Sequence, residues 1–299
     1  MIKLYGFKIS NYQAMIKAFL LEKGVAFEEL EIRPSKEESF LAMSPMGKVP
    51  FIELKEGFLS ESTAILGFLE NCTADEPMVP ADPFRAAQMA QVVNVLELYI
   101  GTEAARLNGY VFFGGEFNQS AADDIEPMMV KGLAALNRLG SFSPFVMGDD
   151  ITIADFFAYY ILVNTRLIAK KVWRWDILAD VDGLAEWMTM MSQRPFIKLV
   201  DDERAVAISK MWCDGCSLVH WSGSTTPVPF QNTTRLHGRY TGMCECRVRQ
   251  DAGSDRIHGV FWMLLGVSKP SKYSEPRNFS LLDLIEYCLI DKPKTQLRK

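Results

Sequence analysis

A proline at the edge of a predicted strand is the feature that most constrains the fold of this chain. Residues 46–52 read MGKVPFI, so that Pro50 stands directly before a short apolar stretch. Proline cannot donate a hydrogen bond to a neighbouring strand, and cis peptide bonds are almost confined to the bond before proline. We therefore expect a cis Val49–Pro50 bond that turns the preceding backbone toward a ligand.

A polar pair lies shortly after this proline, at the start of another apolar run. Glu61 and Ser62 open residues 61–71, whose apolar spacing predicts a helix. The N–H groups at a helix N-terminus favour a bound anion. The sequence thus predicts an exposed backbone at Val49-Pro50 that faces a polar helix start.

Alternating strand and helix patterns fill the first 72 residues. The predicted order is β-α-β-α-β-β-α, with elements at residues 2–5, 12–23, 25–32, 35–42, 51–54, 57–59 and 61–71. The helix over 12–23 is followed by Gly24, which is typical of a helix C-terminus. This pattern predicts a mixed α/β domain over residues 1–72.

The middle of the chain has only helical patterns. Prolines at positions 77, 80 and 83 indicate a linker over residues 73–83. Helical spacing then covers residues 84–107, 120–139, 153–169 and 183–193, which predicts an all-α bundle over residues 84–211. Thr152 and Asp155 form a capping-box pattern at the start of the third of these helices.

Residues 1 to about 205 resemble the glutathione S-transferases. The matching segments are Val49-Pro50, Glu61-Ser62, the cap Thr152–Asp155, the VMGD run at 146–149 and the RPF run at 194–196. The resemblance implies a thioredoxin-like glutathione-binding domain, then an all-α domain, in a bacterial-like enzyme of the serine type. It also implies glutathione as cosubstrate, a small electrophile as second substrate, a role in detoxification and a homodimer. The alternative is a non-catalytic glutathione-binding or regulatory module of the same fold.

The resemblance places the residue that activates the glutathione thiol in the turn after the first strand. A free thiol has a pKa of about 8.5, so an enzyme must stabilise the thiolate with a hydrogen-bond donor. Ser10 takes that position here, with Asn11 and the Tyr12 hydroxyl as alternatives. The competing interpretation is that Ser10 or Asn11 only caps the following helix, while Tyr5 at the strand end is expected to serve packing.

The resemblance also assigns the residues that hold the rest of glutathione. Val49 would bond the cysteinyl backbone, with Pro50 shaping the turn. Glu61 would accept from the γ-glutamyl ammonium, and Ser62 would hold the adjacent carboxylate at the helix start. Lys48 is the nearest cation for the glycyl carboxylate.

The electrophile pocket is expected between the two domains. Aromatic and apolar residues of the predicted bundle are its candidate walls: Tyr99, Leu107, Tyr110, Phe112 and Phe113. The same helical spacing is also typical of core residues, so the sequence leaves both interpretations open.

Composition changes near residue 211. Residues 1–211 carry 20 Lys and Arg against 29 Asp and Glu, whereas residues 212–299 carry 12 against 8. The second part also holds all three histidines and five of the six cysteines. Cys213 and Cys216 have a zinc-like spacing, but Cys244 and Cys246 do not, so we expect no metal site. We interpret residues 212–299 as a poorly ordered extension that does not belong to the family.

The rest of the composition indicates the surroundings of the protein. The acidic body argues against a nucleic-acid partner. No apolar run approaches the roughly 18 residues that span a membrane, and the N-terminus lacks the apolar core of a signal peptide. We expect a cytoplasmic protein with no membrane partner.

Overall fold

A computed structural model describes residues 1–72 and 76–218 of this chain, with side chains as far as residue 208. The N-terminal lobe contains β1 (Ile2–Gly6), α1 (Asn11–Glu22), β2 (Phe27–Glu31), α2 (Glu38–Leu41), β3 (Phe51–Leu54), β4 (Gly57–Ser60) and α3 (Ser62–Cys72). The helical lobe contains α4 (Pro83–Asn94), π-helical turns (Val95–Gly101), α5 (Thr102–Ala105), α6 (Asn108–Phe113), α7 (Gln119–Leu139), α8 (Ile153–Trp173), a 3₁₀ turn (Ile177–Ala179), α9 (Leu184–Ser192) and α10 (Pro195–Leu218). The predicted thioredoxin-like domain followed by helices is confirmed.

The four strands form one sheet in the order β2-β1-β3-β4. β1 pairs in parallel with β2 and antiparallel with β3, while β3 and β4 form the predicted hairpin. Leu4 and Ile52 are fully buried beneath α1 and α3, and Phe51 stacks on Tyr5 with ring centroids 4.7 Å apart. The predicted cis peptide between Val49 and Pro50 is confirmed, directly before β3.

α8 is the central helix of the helical lobe. Its residues Ile153–Val163 are all buried, because apolar side chains surround the whole circumference and other helices pack on every side. The predicted capping box at its start is confirmed: the Asp155 carboxylate accepts from the Thr152 N–H at 2.8 Å. The helix ends at Trp173, later than predicted, because apolar and basic residues continue the helical spacing.

Several helical features were not predicted from the sequence, and two of them bear on the site. The segment predicted as one helix over 84–107 contains the π-helical turns Val95–Gly101 in its middle. α10 follows the predicted RPF run and continues to Leu218, past the composition change. The expectation of a poorly ordered extension falls mainly on residues 219–299, which lie outside the described residues.

The two lobes share a buried contact through α1 and α8. Phe19 of α1 and Phe156 of α8 are fully buried, with ring centroids 5.4 Å apart. Two charged residues of α1 also reach the helical lobe: Lys17 contacts Glu203, and Glu22 contacts Arg194. α1 is therefore held by both lobes, and Ser10 stands at its first turn.

Candidate functional site

The register of the sheet brings three sequence motifs to one edge. Tyr5 pairs with Phe51, and Phe51 pairs with Ser60. The next residue along each strand at this edge is Gly6 at the end of β1, Pro50 before β3 and Glu61 after β4. The loop to α1, the cis peptide and the start of α3 therefore adjoin, with the N-termini of two helices at the same edge.

Ser10 is the N-cap of α1. Its hydroxyl oxygen accepts a hydrogen bond from the Gln13 N–H at 3.3 Å, and its side chain is half-buried. That bond uses a lone pair of the oxygen, whereas the hydroxyl hydrogen can still be donated. Capping and thiol activation, which the sequence left as competing interpretations, are thus compatible in one side chain.

The neighbouring candidates have other contacts. The Asn11 amide donates to the carbonyl of Tyr160 in α8 at 3.4 Å, which directs it toward the helical lobe. Burial raises the pKa of the Tyr12 hydroxyl, and the nearby charges of Glu97 and Glu61 raise it further. Tyr12 therefore stays neutral at physiological pH and can donate a hydrogen bond. Tyr5 stacks on Phe51 and donates to Glu53 at 2.6 Å, which agrees with the packing role expected for it.

The loop before Pro50 is fixed by two local features. The buried Ser44 hydroxyl donates to the Lys48 carbonyl at 2.8 Å. Gly47 has a φ of +65°, and a Cβ at this position would come within 2.6 Å of the Ser35 carbonyl. Only glycine fits such a close turn without a backbone shift. Lys48 itself is exposed, and Val49 is half-buried.

Glu61 and Ser62 differ in burial and backbone. Glu61 is exposed and has a φ of +69°, in the left-handed region that residues other than glycine rarely adopt. Ser62 is 7% exposed and begins α3. Such an unfavourable backbone, at about 1–3 kcal/mol, persists where surrounding structure enforces it and is often found at functional sites.

Glu97 is a further charged residue of this region that sequence reasoning missed. It lies in the π-helical turns of the helical lobe. Its pKa is raised by burial and by the charge of Glu61, while the charge of Lys48 lowers it. The carboxylates of Glu61 and Glu97, from different lobes, are thus near enough for their charges to interact. The only sequence signal was one acidic residue in a helical pattern, which is ordinary on a helix surface.

The expected electrophile residues occupy different environments. Leu107 is 3% exposed, which leaves it little surface for a ligand. Tyr110 packs on Phe117 with ring centroids 4.9 Å apart, and Phe112 packs on Phe113 at 6.5 Å. Tyr99 and Phe113 are exposed on the helical lobe. A pocket formed by all of these residues stays a prediction.

Comparisons with known proteins cover both lobes of the chain. Residues 4–77 match the family profile of the glutathione S-transferase N-terminal domain, and residues 119–189 match that of the C-terminal domain. A glutathione S-transferase of Pseudomonas putida is 34% identical over 206 residues, which cover 69% of this chain and 94% of that protein. The chain belongs to the glutathione S-transferase family.

Two other similar proteins are a solved glutathione S-transferase and a probable elongation factor. A glutathione S-transferase structure from Pseudomonas fluorescens has a TM-score of 0.55 at 26% identity, and the match covers 65% of this chain and 96% of that one. A probable elongation factor 1-gamma 2 of Arabidopsis thaliana is 29% identical over 176 residues, which cover 57% of this chain and 41% of that protein. The family uses glutathione as cosubstrate.

Two further findings concern the described part of this transferase chain. No helix there is long and apolar enough to cross a membrane. Among the same residues, no three or more His, Cys, Asp or Glu side chains form a group that could hold a metal ion.

Proposed function

We propose that this protein conjugates the thiolate of glutathione to a small electrophile, with Ser10 as the donor that stabilises the thiolate. The observation that carries the proposal is the meeting of Ser10, the cis Val49–Pro50 bond and the start of α3 at one sheet edge. Each of these supplies hydrogen-bonding groups of a different kind, and glutathione has a complementary group for each.

The binding groups suit a zwitterionic tripeptide. Ser62 and the N–H groups at the start of α3 would hold the γ-glutamyl carboxylate, since a helix N-terminus favours an anion. Glu61 and Glu97 would together accept from its ammonium, whose positive charge offsets the repulsion between the two carboxylates. Val49 would bond the cysteinyl backbone, and Lys48 is the cation for the glycyl carboxylate.

The chemical step needs only a stabilised thiolate near the electrophile. The thiol proton passes to water, and the Ser10 hydroxyl and the first N–H groups of α1 stabilise the remaining negative charge. The sulfur then forms a bond to the electrophilic carbon, and the bond to the leaving group breaks, with its electron pair going to the leaving group. For an aryl halide the products are a thioether and a halide ion.

The direct test is conjugation of glutathione to an aryl halide by the full chain and its Ser10→Ala variant. We expect kcat/KM to fall by roughly 10²-fold or more, the scale of losing one stabilising donor. Loss of an N-cap alone costs about 1 kcal/mol of stability. Asn118→Ala is the matched control, because Asn118 caps α7 through the Ala121 N–H at 3.0 Å, far along the chain from Ser10.

The outcomes separate the two functions. Turnover that Ser10→Ala abolishes and Asn118→Ala preserves would support the proposal. Turnover indifferent to Ser10 would shift the donor role to Asn11 or Tyr12. Absence of turnover, together with a melting temperature that glutathione still raises, would favour the non-catalytic glutathione-binding module.

We further propose that the protein acts as a cytoplasmic homodimer in detoxification. Leu98 and Tyr99 in the π-helical turns and Val130 in α7 are exposed apolar side chains, at 53%, 47% and 51%. These segments adjoin, since a Cβ on Gly132 of α7 would lie 3.1 Å from the Tyr99 carbonyl. Sedimentation of the full chain should give a dimer mass, and Leu98→Glu should shift it toward the monomer.

A further inference from the structure

The residues on both sides of Ser10 are held by helices of the helical lobe. Two residues before Ser10, Lys8 lies 4.0 Å from the Glu203 carboxylate of α10. Two turns after Ser10, Lys17 contacts the same carboxylate oxygen at 2.5 Å. Asn11, the next residue after Ser10, bonds to the backbone of α8. One carboxylate therefore joins the loop before Ser10 to the helix after it.

The contact between Lys17 and Glu203 is close, and its lysine side is largely shielded from water, whereas the Glu203 side chain is 34% exposed. The Lys17 side chain is 10% exposed and also contacts Glu29 of β2 at 2.6 Å. Lys17, Glu29 and Glu203 line one small crevice that is partly open to solvent. Burial lowers the pKa of Lys17, but the hydrogen bonds to Glu203 and Glu29 and the charges of these two carboxylates together raise it more, so Lys17 stays charged.

The surrounding residues of α10 are themselves anchored. Asp201 accepts from the Tyr159 hydroxyl of α8 at 2.5 Å. Arg204 lies 3.4 Å from Asp201 and over the Tyr160 ring, at 5.6 Å from its centroid. This part of α10 is thus fixed to α8, and Glu203 can serve as a rigid support for α1.

We propose that Glu203 is a positioning residue for thiol activation: through Lys17 and Lys8 it sets where α1 begins, and so where the Ser10 hydroxyl points. The inference rests on the proposed function of Ser10. It assigns to α10, a helix that the sequence did not predict, control over the acidity of the bound glutathione thiol.

Glu203→Gln distinguishes a positioning role of Glu203 from a direct effect of its charge, because the two predict opposite shifts in the pKa of the bound glutathione thiol. Removing a negative charge next to Lys8 and Lys17 would favour the thiolate and lower the pKa of the bound thiol. A displaced Ser10 donor would raise that pKa, by about one unit for a partly lost hydrogen bond. The measurement is the ultraviolet absorbance of the glutathione thiolate bound to the full chain, followed against pH.

We expect Glu203→Gln to raise the pKa of the bound thiol by about one unit and to lower kcat about tenfold near pH 6.5. The loss should disappear at high pH, where the thiol ionises without help, and KM for glutathione should not change. Glu203→Asp keeps the charge but shortens the side chain. A raised pKa of the bound thiol in this variant can therefore come only from a changed position of the Ser10 hydroxyl.

Glu22→Gln is the matched control. Glu22 joins α1 to Arg194 of the helical lobe, but at the end of α1 that is remote from Ser10. Glu22→Gln should lower the melting temperature about as much as Glu203→Gln does, but it should leave the pKa of the bound thiol unchanged. A Ser10→Ala background should also abolish the effect of Glu203→Gln, because effects that act through one group are not additive.

An unchanged or lowered thiol pKa in Glu203→Gln and Glu203→Asp would overturn the inference, as would an equal rise in Glu22→Gln. Failure of the proposed function looks different. If the parent protein binds glutathione but gives no product, the proposed conjugation fails, while the thiolate absorbance still tests the role of Glu203.

Discussion

At the scale of single residues, the site combines an unfavourable backbone with an unfavourable pair of charges. Glu61 adopts a left-handed φ of +69°. Burial raises the pKa of Glu97, and the charge of the Glu61 carboxylate raises it further. The backbone of Glu61 costs stability whether or not a ligand is bound. The repulsion between the two carboxylates would be removed by the ammonium of the proposed ligand, if it lies between the two side chains.

Glu97→Gln should stabilise the unliganded protein in a pH-dependent way. The raised pKa means that ionisation of Glu97 costs the folded state more than the unfolded one. The variant should therefore gain melting temperature relative to the parent as the pH rises from about 4.3, the unfolded value, through the raised pKa of the folded state. A constant difference from pH 4 to pH 8 would contradict this.

The same variant should bind glutathione more weakly, by about tenfold, the scale of one charge-assisted hydrogen bond. Isothermal titration at pH 7 measures the change. Glu103→Gln is the control, since Glu103 pairs with Arg106 at 2.7 Å on α5 of the same continuous helix. Equal affinities for the parent and Glu97→Gln would remove Glu97 from the proposed site.

At the scale of elements, the start of α8 is a buried polar feature in which one carboxylate accepts several hydrogen bonds. The Asp155 carboxylate is fully buried and accepts from Val146, Thr152 and the Trp187 indole at 2.8–3.1 Å. These bonds orient the loop before α8, α8 itself and α9 around one anion. The capping box is local, which is why the sequence predicted it.

Asp155→Ala should cost about 3–5 kcal/mol of the free energy of unfolding, because it leaves buried donors without an acceptor. Urea unfolding measures the loss. Asp149→Ala, at an exposed position of the preceding loop, should stay within about 0.5 kcal/mol of the parent. Similar losses in both variants would show that the cap contributes little beyond surface charge.

Local signals made most of the elements predictable, and long-range contacts account for what was missed. The strands, the cis Val49–Pro50 bond and the cap of α8 follow from residues within a few positions of each other. α10 has a weakly amphipathic pattern and is stabilised by contacts with α1 and α8, far away in sequence. The pKa of Glu97 is raised first by burial and then by the charge of Glu61 in the other lobe, and neither cause can be read from its sequence neighbours. The roles of the site residues stay predictions.

At the scale of the whole molecule, the lobes share their stability through α1. Its buried face contributes Phe19 to the contact with Phe156, and its charged residues reach Glu203 and Arg194. A helix that belongs to one lobe by sequence therefore belongs to both by packing. Unfolding either lobe alone would expose this shared surface.

Phe19→Ala should therefore weaken both lobes together, by about 3–5 kcal/mol for a large buried side chain. Hydrogen exchange followed by mass spectrometry should show equal loss of protection in β1 and in α8. Met129→Ala, which removes a buried side chain of α7 away from α1, is the comparison. Loss of protection confined to the N-terminal lobe in Phe19→Ala would contradict a shared unfolding unit.

The π-helical turns Val95–Gly101 have a consequence for how this helix tolerates insertions and deletions. Each i→i+5 hydrogen bond takes up one residue more than its α-helical counterpart, so these turns hold surplus chain between α4 and α5. Deleting one residue here would let the segment become α-helical while α4 and α5, on either side of it, keep their positions. The deletion would turn the intervening side chains by about 100° around the axis. Glu97 would then rotate away from Glu61, and the glutathione site proposed above would lose that carboxylate from an otherwise intact protein.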